Sequence, residues 1–468
     1  MTAHPRGSGS ARRARIETPA YREVSFWHER AGEVAPRARL DGDADADVAI
    51  VGGGLTGLWS AWYLRERDPG LRIVVLEKEV AGFGASGRNG GWCSALFPRS
   101  TASLERAHGR DAALAMRRAM INTVAEVGRV TDAVGIACDY SAGGTIAYAR
   151  SDVQRRAAWA EIAEAERFGV DEVRWLEADE VHAAGAVGAS FDPHCARLHP
   201  AKLVRGLAAA LEARGVRIIE QTEVTEVSAG RVTTARGVVS AEQIVVATEG
   251  YTATFPATHR RILPLYSLMI ATEPLPTAFW DEVGIAHGQT FTDYRHLLIY
   301  GQRTADDRFA FGGRGARYHW GSAIRPEYDR VPRVFEHLRR TLVDLFPAAA
   351  DAAITHRWGG PLGVPRDWHA SVTYDPATRI GRAGGYVGDG LSTTNLAGRT
   401  LADLMTGTGS ELTRLPWVGH RSPDWEPEPL RFLGANAGML AMSAADTEER
   451  ITGRRSIIAR VMGPLVGH

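Results

Sequence analysis

The chain has 468 residues, 55 basic and 55 acidic side chains, and a formal net charge of +0. That length exceeds one ordinary core and implies two or three domains, while 44% apolar and 24% charged residues are proportions typical of a globular protein. The neutral balance argues against nucleic acid as a main partner, and the lack of any apolar run of about 18 residues argues against a membrane span.

Arginine carries nearly all the positive charge, since the only lysines are Lys78 and Lys202. Three separated cysteines, Cys93, Cys138 and Cys195, form neither a disulfide framework nor a zinc pattern, and no metal is expected. A reducing cytoplasm fits.

Residues 1–20 are rich in Gly, Ser and Arg, with no apolar segment behind the arginines, so they predict a disordered tail rather than a secretory signal. Tyr21, Phe26 and Trp27 then predict a segment packed on the body. "DADVAIVG" reads as a buried parallel strand, "LTGLWSAWYLRERDPG" as a helix stopped by Pro-Gly, and "LRIVVLE" as a second strand. Residues 102–134 predict helix, and 139–195 mix short strands with one helix. "HPAKLVRGLAAALEARG" is a further helix leading into short strands. Segment 260–350 alternates strands with the amphipathic helix "VPRVFEHLRRTLVDLFP", and "GGYVGDGLSTTNLAGRTLADLMTG" runs strand, turn, helix. Beyond 409 lies an extension containing Trp417, Trp425 and Phe432, expected to pack on the body or on a second subunit; a monomer or a homodimer fits.

In Gly52-Gly53-Gly54-Leu55-Thr56-Gly57 each outer glycine has a task. Gly52 permits the tight turn, Gly54 lets backbone approach a pyrophosphate, and Gly57 lets helix and sheet close up. The N–H groups at Leu55 and Thr56 begin a helix whose dipole favours an anion. Glu77 ends the second strand, 20 residues after Gly57. An acid there takes ribose hydroxyls and disfavours a 2′-phosphate. After Lys78 comes "GASGRNGG", residues 84–91. A long loop of small residues in place of a helix suits a ligand longer than one nucleotide. Its backbone, with Gly84, Ala85, Ser86, Arg88, Asn89, Gly90 and Gly91, offers hydrogen-bond donors.

Together, "IVGGGLTGLWSAWYL…VVLEKEVAGFGASGRNGG" resembles the FAD-dependent amino acid and amine oxidases, the D-amino acid oxidase-like (DAO) family, and in particular its γ-glutamylputrescine oxidase-like branch, over about residues 21–408. The resemblance implies a mixed α/β fold. A Rossmann-like FAD-binding domain is expected from the discontinuous segments 21–138, 196–260 and 351–408. An antiparallel-sheet substrate domain is expected from 139–195 and 261–350, with 409–468 as an extension. It also places Val224 at the adenine and Ala247, Thr248 and Gly250 near the pyrophosphate. Gly388, Asp389, Gly390, Thr393, Thr394 and Asn395 fall at a helix start facing the flavin pyrimidine, whose dipole would stabilise reduced flavin. The branch often carries His where this chain has Asp389, so Asp389 is expected to point away or to cap the helix.

The chemistry implied is hydride transfer from the carbon of an amine or amino acid to flavin N5. The imine is then hydrolysed, and molecular oxygen takes the electrons to give hydrogen peroxide. Tyr300 and Arg314 fall on strands the family fold places over the flavin, and Arg314 suits a carboxylate or phosphonate; as a residue alone it reads equally as a surface arginine in a tight turn. Trp92 and Trp358 are candidates for the substrate pocket wall or for core packing. Two features depart from relatives. The strand "DDRFAFGGR" lacks the lysine that many sarcosine-oxidase relatives place over N5, and no cysteine follows Cys195 to link flavin, so FAD is expected to be non-covalent. A flavin dehydrogenase with another acceptor, and a non-catalytic dinucleotide-binding subunit, remain open.

Overall fold

In the computed structural model, which describes residues 21–463, the run Ala44–Val51 lies inside an eight-stranded sheet. The expected N-terminal tail lies outside the described residues. Gly237–Val246 and Ile73–Leu76 flank that run in parallel, and Arg217–Ile219 extends the sheet past Ile73–Leu76. Ile380–Gly384 adds a parallel strand on the other side, and Ser371–Asp375 closes that edge antiparallel. The apolar run is continuous because both faces are covered. Val48 and Ile50 enter one buried cluster, Ala49 and Val51 another.

Two helices of this layer, Leu55–Arg67 and Gly390–Thr406, cross at a glycine. A Cβ on Gly398 would lie 2.6 Å from the backbone carbon of Trp59. Gly398→Val is therefore expected to destabilise the protein by about 2–3 kcal/mol, read by denaturant unfolding, because two backbones must separate.

The second sheet also has eight strands. Leu263–Thr272 pairs antiparallel with Ile354–Val364 on one side and Phe309–Gly313 on the other. Ile299–Arg303 and Thr290–Asp293 follow, then Thr145–Ala149, Gly188–Asp192 and Arg174–Leu176. Helix Pro332–Leu345 covers one face with Val334, Phe335, Leu338, Leu342 and Leu345.

Three expectations change. Ile354–Val364, assigned above to the FAD-binding segment 351–408, pairs along its length with Leu263–Thr272 and so belongs to the second sheet. That sheet is not wholly antiparallel, because Thr290–Asp293 runs parallel to Thr145–Ala149. Those strands come from segments separated by more than a hundred residues, so no hairpin constrains their direction. The helix expected over 102–134 is two, Thr101–His108 and Arg110–Ala133, broken at Gly109 with φ +84. The extension packs on the body of its own chain. Trp417 is buried in the first core, and Trp425 Nε1 donates to Val364 O at 2.8 Å.

Candidate active site

A cleft of about 1120 Å³ is lined by residues from both sheets. At one end stand the glycines after Ala44–Val51. A Cβ on Gly52, which has φ +110, would meet Ala247 O at 2.5 Å, and one on Gly57 would meet Gly52 O at 2.1 Å. Gly54, the residue before helix Leu55–Arg67, supplies no side-chain cap, and the positive end of that helix meets the cleft at Leu55 and Thr56, with the Leu55 amide taken by Ser86 Oγ. Gly57 does not line the cleft; its place is against Gly52.

Glu77 also lines this end. Its carboxylate accepts from Gly53 N at 2.7 Å and Glu79 N at 2.9 Å. Burial outweighs those bonds and pushes its carboxyl up to about 7. Lys78, exposed, pairs with Glu223 at 2.8 Å, and Val224 lines the cleft beside them. Ala247, Thr248 and Gly250 line its floor.

The loop 84–91 runs along the cleft, its side chains largely engaged in holding its shape. Ser86 Oγ accepts from Leu55 N at 2.9 Å. Asn89 Nδ2 donates to Ala85 O, and Asn89 Oδ1 accepts from Gly91 N. Arg88 reaches the second sheet instead, donating to Asp329 at 2.6 Å and Gly359 O at 3.1 Å. The loop therefore faces a ligand chiefly with backbone. Gly84, Ala85, Ser86, Arg88, Asn89 and Gly90 line the cleft; Gly91 packs against Leu198 O and Gln302. A Cβ on Gly90 would sit 2.7 Å from the Tyr300 ring, so the loop and the second sheet close on each other there.

The far end is built from the start of helix Gly390–Thr406, which has no side-chain cap. Gly388, Asp389, Gly390, Leu391 and Thr394 line the cleft. Thr393 and Asn395 do not: Asn395 Nδ2 donates to Tyr63 Oη at 2.9 Å, on the side facing helix Leu55–Arg67. The turn spacing explains this, because residues 390, 391 and 394 share one side of the helix. Of the two expectations for Asp389, the helix cap is not formed. Its side chain makes no cap bond and belongs to the cleft wall, where burial, opposed by Arg314, pushes its carboxyl up to about 6.

A carboxyl raised above its unfolded value favours the fold only while protonated, and loses that contribution as pH rises through about 6. Asp389→Asn is therefore expected to stabilise the ligand-free protein by about 1–2 kcal/mol at pH 8 and to leave it unchanged at pH 4, read by thermal unfolding.

Tyr300 Oη lies 2.8 Å from Ser267 Oγ, and Trp92 meets the Tyr300 ring edge-on at 6.3 Å. Arg314 donates to Val387 O at 2.8 Å, lies 5.1 Å over the Trp368 ring, and has no carboxylate within 4 Å among the described residues. Trp92 and Trp358 both touch the cleft, but Trp358 is 2% exposed and donates to Arg88 O, which makes it mainly core. Ser267, Trp368 and Glu249 went unread in the sequence. Glu249, at φ +41, accepts from Gly363 N at 2.6 Å and Tyr386 N at 3.0 Å, tying both sheets to the turn before Gly390. Its signal was an acid inside "VVATEGY", between residues assigned to the pyrophosphate. Met442, from the extension, reaches the cleft as well.

Among the described residues, no group of His, Cys, Asp and Glu could hold a metal, and no helix is long and apolar enough to cross a membrane. The helix starts at Leu55 and Gly390, the glycine cradle and the half-buried Glu77 carboxylate between backbone donors have the donor and acceptor chemistry that fits FAD.

The comparisons agree with that fit. The FAD dependent oxidoreductase family DAO matches residues 47–404. Gamma-glutamylputrescine oxidoreductase of Escherichia coli (strain K12) is 30% identical over 422 residues, covering 85% of this chain and 94% of its own. A probable oxidoreductase OrdL of Haemophilus influenzae is 30% identical over 393 residues, 79% of this chain and 84% of its own. Glycine oxidase from Geobacillus kaustophilus matches with TM-score 0.68 at 20% identity, covering 81% of this chain and 99% of that one. L-proline dehydrogenase from P. horikoshii matches with TM-score 0.64 at 19% identity, covering 81% and 96%. At such identity the solved structures speak for the fold alone. On the family match and the E. coli relative, the chain belongs to the DAO family of FAD-dependent oxidoreductases.

Proposed function

We propose that the protein oxidises the C–N bond of an amine that carries a carboxylate, an amino acid or an N-substituted relative, with molecular oxygen as final acceptor and hydrogen peroxide as product. The observation that carries this reading is Arg314, a guanidinium on the cleft wall with no carboxylate within 4 Å among the described residues. Its Val387 bond and the Trp368 ring fix its direction, and a bidentate partner of opposite charge is what such a group lacks.

FAD, when bound at the ring end, supplies the acceptor for the hydride that leaves the amine-bearing carbon. The chain's own residues orient and desolvate. Arg314 holds the carboxylate, Tyr300 and Trp92 wall the pocket, and Ser267 fixes the Tyr300 hydroxyl. The uncapped start of helix Gly390–Thr406 favours negative charge beside it. The imine product is hydrolysed by water to a carbonyl compound and an amine.

One observation favours a second reading, a dehydrogenase with another acceptor. Neither lysine stands at the ring end: Lys78 pairs with Glu223 beside Glu77, and Lys202 pairs with Asp139 outside the cleft. Turnover in air decides between them. Stoichiometric peroxide supports the oxidase; flavin that stays reduced in air until an artificial acceptor is added supports the dehydrogenase.

A further inference from the structure

A second cavity, of about 300 Å³, shares no lining residue with the cleft, and its size is at the lower end for small-ligand sites. Five charged side chains line it: Arg30, Arg197, Lys202, Asp139 and Asp306. Both carboxylates are already matched, Asp139 by Lys202 at 2.8 Å and Asp306 by Arg308 at 2.8 Å. Two guanidiniums are not. Arg197 is 6% exposed, has no carboxylate within 4 Å among the described residues, gives one bond to Asp139 O at 2.7 Å, and leaves its Nε without a partner. Arg30, on the exposed rim, likewise has no carboxylate within 4 Å among the described residues.

His199 adds a neutral donor. Its Nδ1 accepts from Lys202 N at 3.2 Å, so the ring proton is assigned to Nε2, which is buried and has no partner. Burial, with Lys202 beside it, pushes this imidazole down to about 3, and it stays uncharged at neutral pH. A buried cation without a counter-charge is costly. The carboxylates of Asp139 and Asp306 act on Arg197 only from beyond contact distance, and a guanidinium edge left without a contact partner, with a neutral N–H donor alongside and a second cation at the rim, suits an anion.

The cavity also backs onto the cofactor loop. Three of its lining residues donate to three consecutive loop carbonyls: Trp27 Nε1 to Asn89 O at 2.8 Å, Gln302 Nε2 to Gly90 O at 2.6 Å, and Leu198 N to Gly91 O at 2.9 Å.

We propose that this cavity binds a small oxyanion, a carboxylate or a phosphate, on Arg197 and Arg30, and that its occupancy shifts the loop 89–91 against the flavin. The ligand is distinct from the substrate carboxylate at Arg314, and the site requires no turnover, so it stands or falls apart from the proposed reaction.

The test is calorimetric titration of the FAD-loaded protein with inorganic phosphate and, separately, with malonate, at constant ionic strength set by sodium chloride. One saturable site for at least one anion is expected, and the anion that binds names the class. Arg197→Gln is expected to weaken it about tenfold or more, and Arg30→Gln about threefold. Arg314→Gln is expected to leave it unchanged. No saturable heat from either anion, equal affinity in both Arg197→Gln and Arg30→Gln, or loss in Arg314→Gln overturns the site. Should Arg197→Gln fail to fold, the exposed Arg30→Gln decides. The flavin absorption band is expected to move with the same midpoint; binding with no spectral change overturns the coupling to the loop.

Discussion

Gly57→Ala is expected to purify without flavin. The added Cβ would stand 2.1 Å from Gly52 O and 3.0 Å from the Ile50 side chain, and the first of those atoms is backbone that cannot swing aside. Relief requires helix Leu55–Arg67 to lift from the strand, which moves the Thr56 amide and the positive end of the helix away from any pyrophosphate and strains the Leu55–Ser86 bond. Overpacking of this kind costs about 1–3 kcal/mol, so FAD affinity should fall by about a hundredfold, measured by fluorescence titration of the ligand-free protein. Gly434→Ala is the control: nothing lies within 4 Å of its Cβ position, its φ is ordinary, and it sits in helix Leu430–Thr452. That variant should bind FAD normally.

Arg314→Gln is expected to lower kcat/KM for carboxylate-bearing amines by about a hundred- to a thousandfold, while changing an amine without a carboxylate by less than about threefold. The contrast is the point. Glutamine removes the positive charge and stops two bonds short of the guanidinium nitrogen that donates to Val387 O, so the amine without a carboxylate serves as the readout for any loss of that bond. Steady-state kinetics on matched substrate pairs checks it. Equal loss on both members would assign Arg314 to holding the turn before Gly388 rather than to the substrate.

The glycine motif was legible because its reason is local. The constraint on Gly57 comes from Gly52 and Ile50, a few residues away, the positive φ of Gly52 belongs to the same turn, and Glu77 follows at a fixed distance along the same strand–helix–strand unit. The core strands were legible for the same reason: two covered faces write a continuous apolar run.

What stayed hidden depends on contacts between distant segments. Nothing in "ITHRWGGPLGV" says that it pairs with Leu263–Thr272 instead of joining the parallel sheet. Glu249 is an unremarked acid until Gly363 N and Tyr386 N are brought to it from more than a hundred residues away. Asp389 stands at a helix start where an aspartate usually caps, yet it makes no cap bond, and the neighbour that acts on its charge is Arg314, brought to the same turn from the end of a distant strand. The extension was readable as packed, but not that Asp446 accepts from His296 N at 2.6 Å and Leu297 N at 3.0 Å and so seats Met442 at the cleft.

Anaerobic mixing of the FAD-loaded protein with a panel of amines tests the central claim most directly. Carboxylate-bearing amines are predicted to bleach the flavin band near ~450 nm in a single turnover, leaving a carbonyl product, while amines lacking the carboxylate bleach it far more slowly. A flavin band that no amine in the panel bleaches would contradict the account.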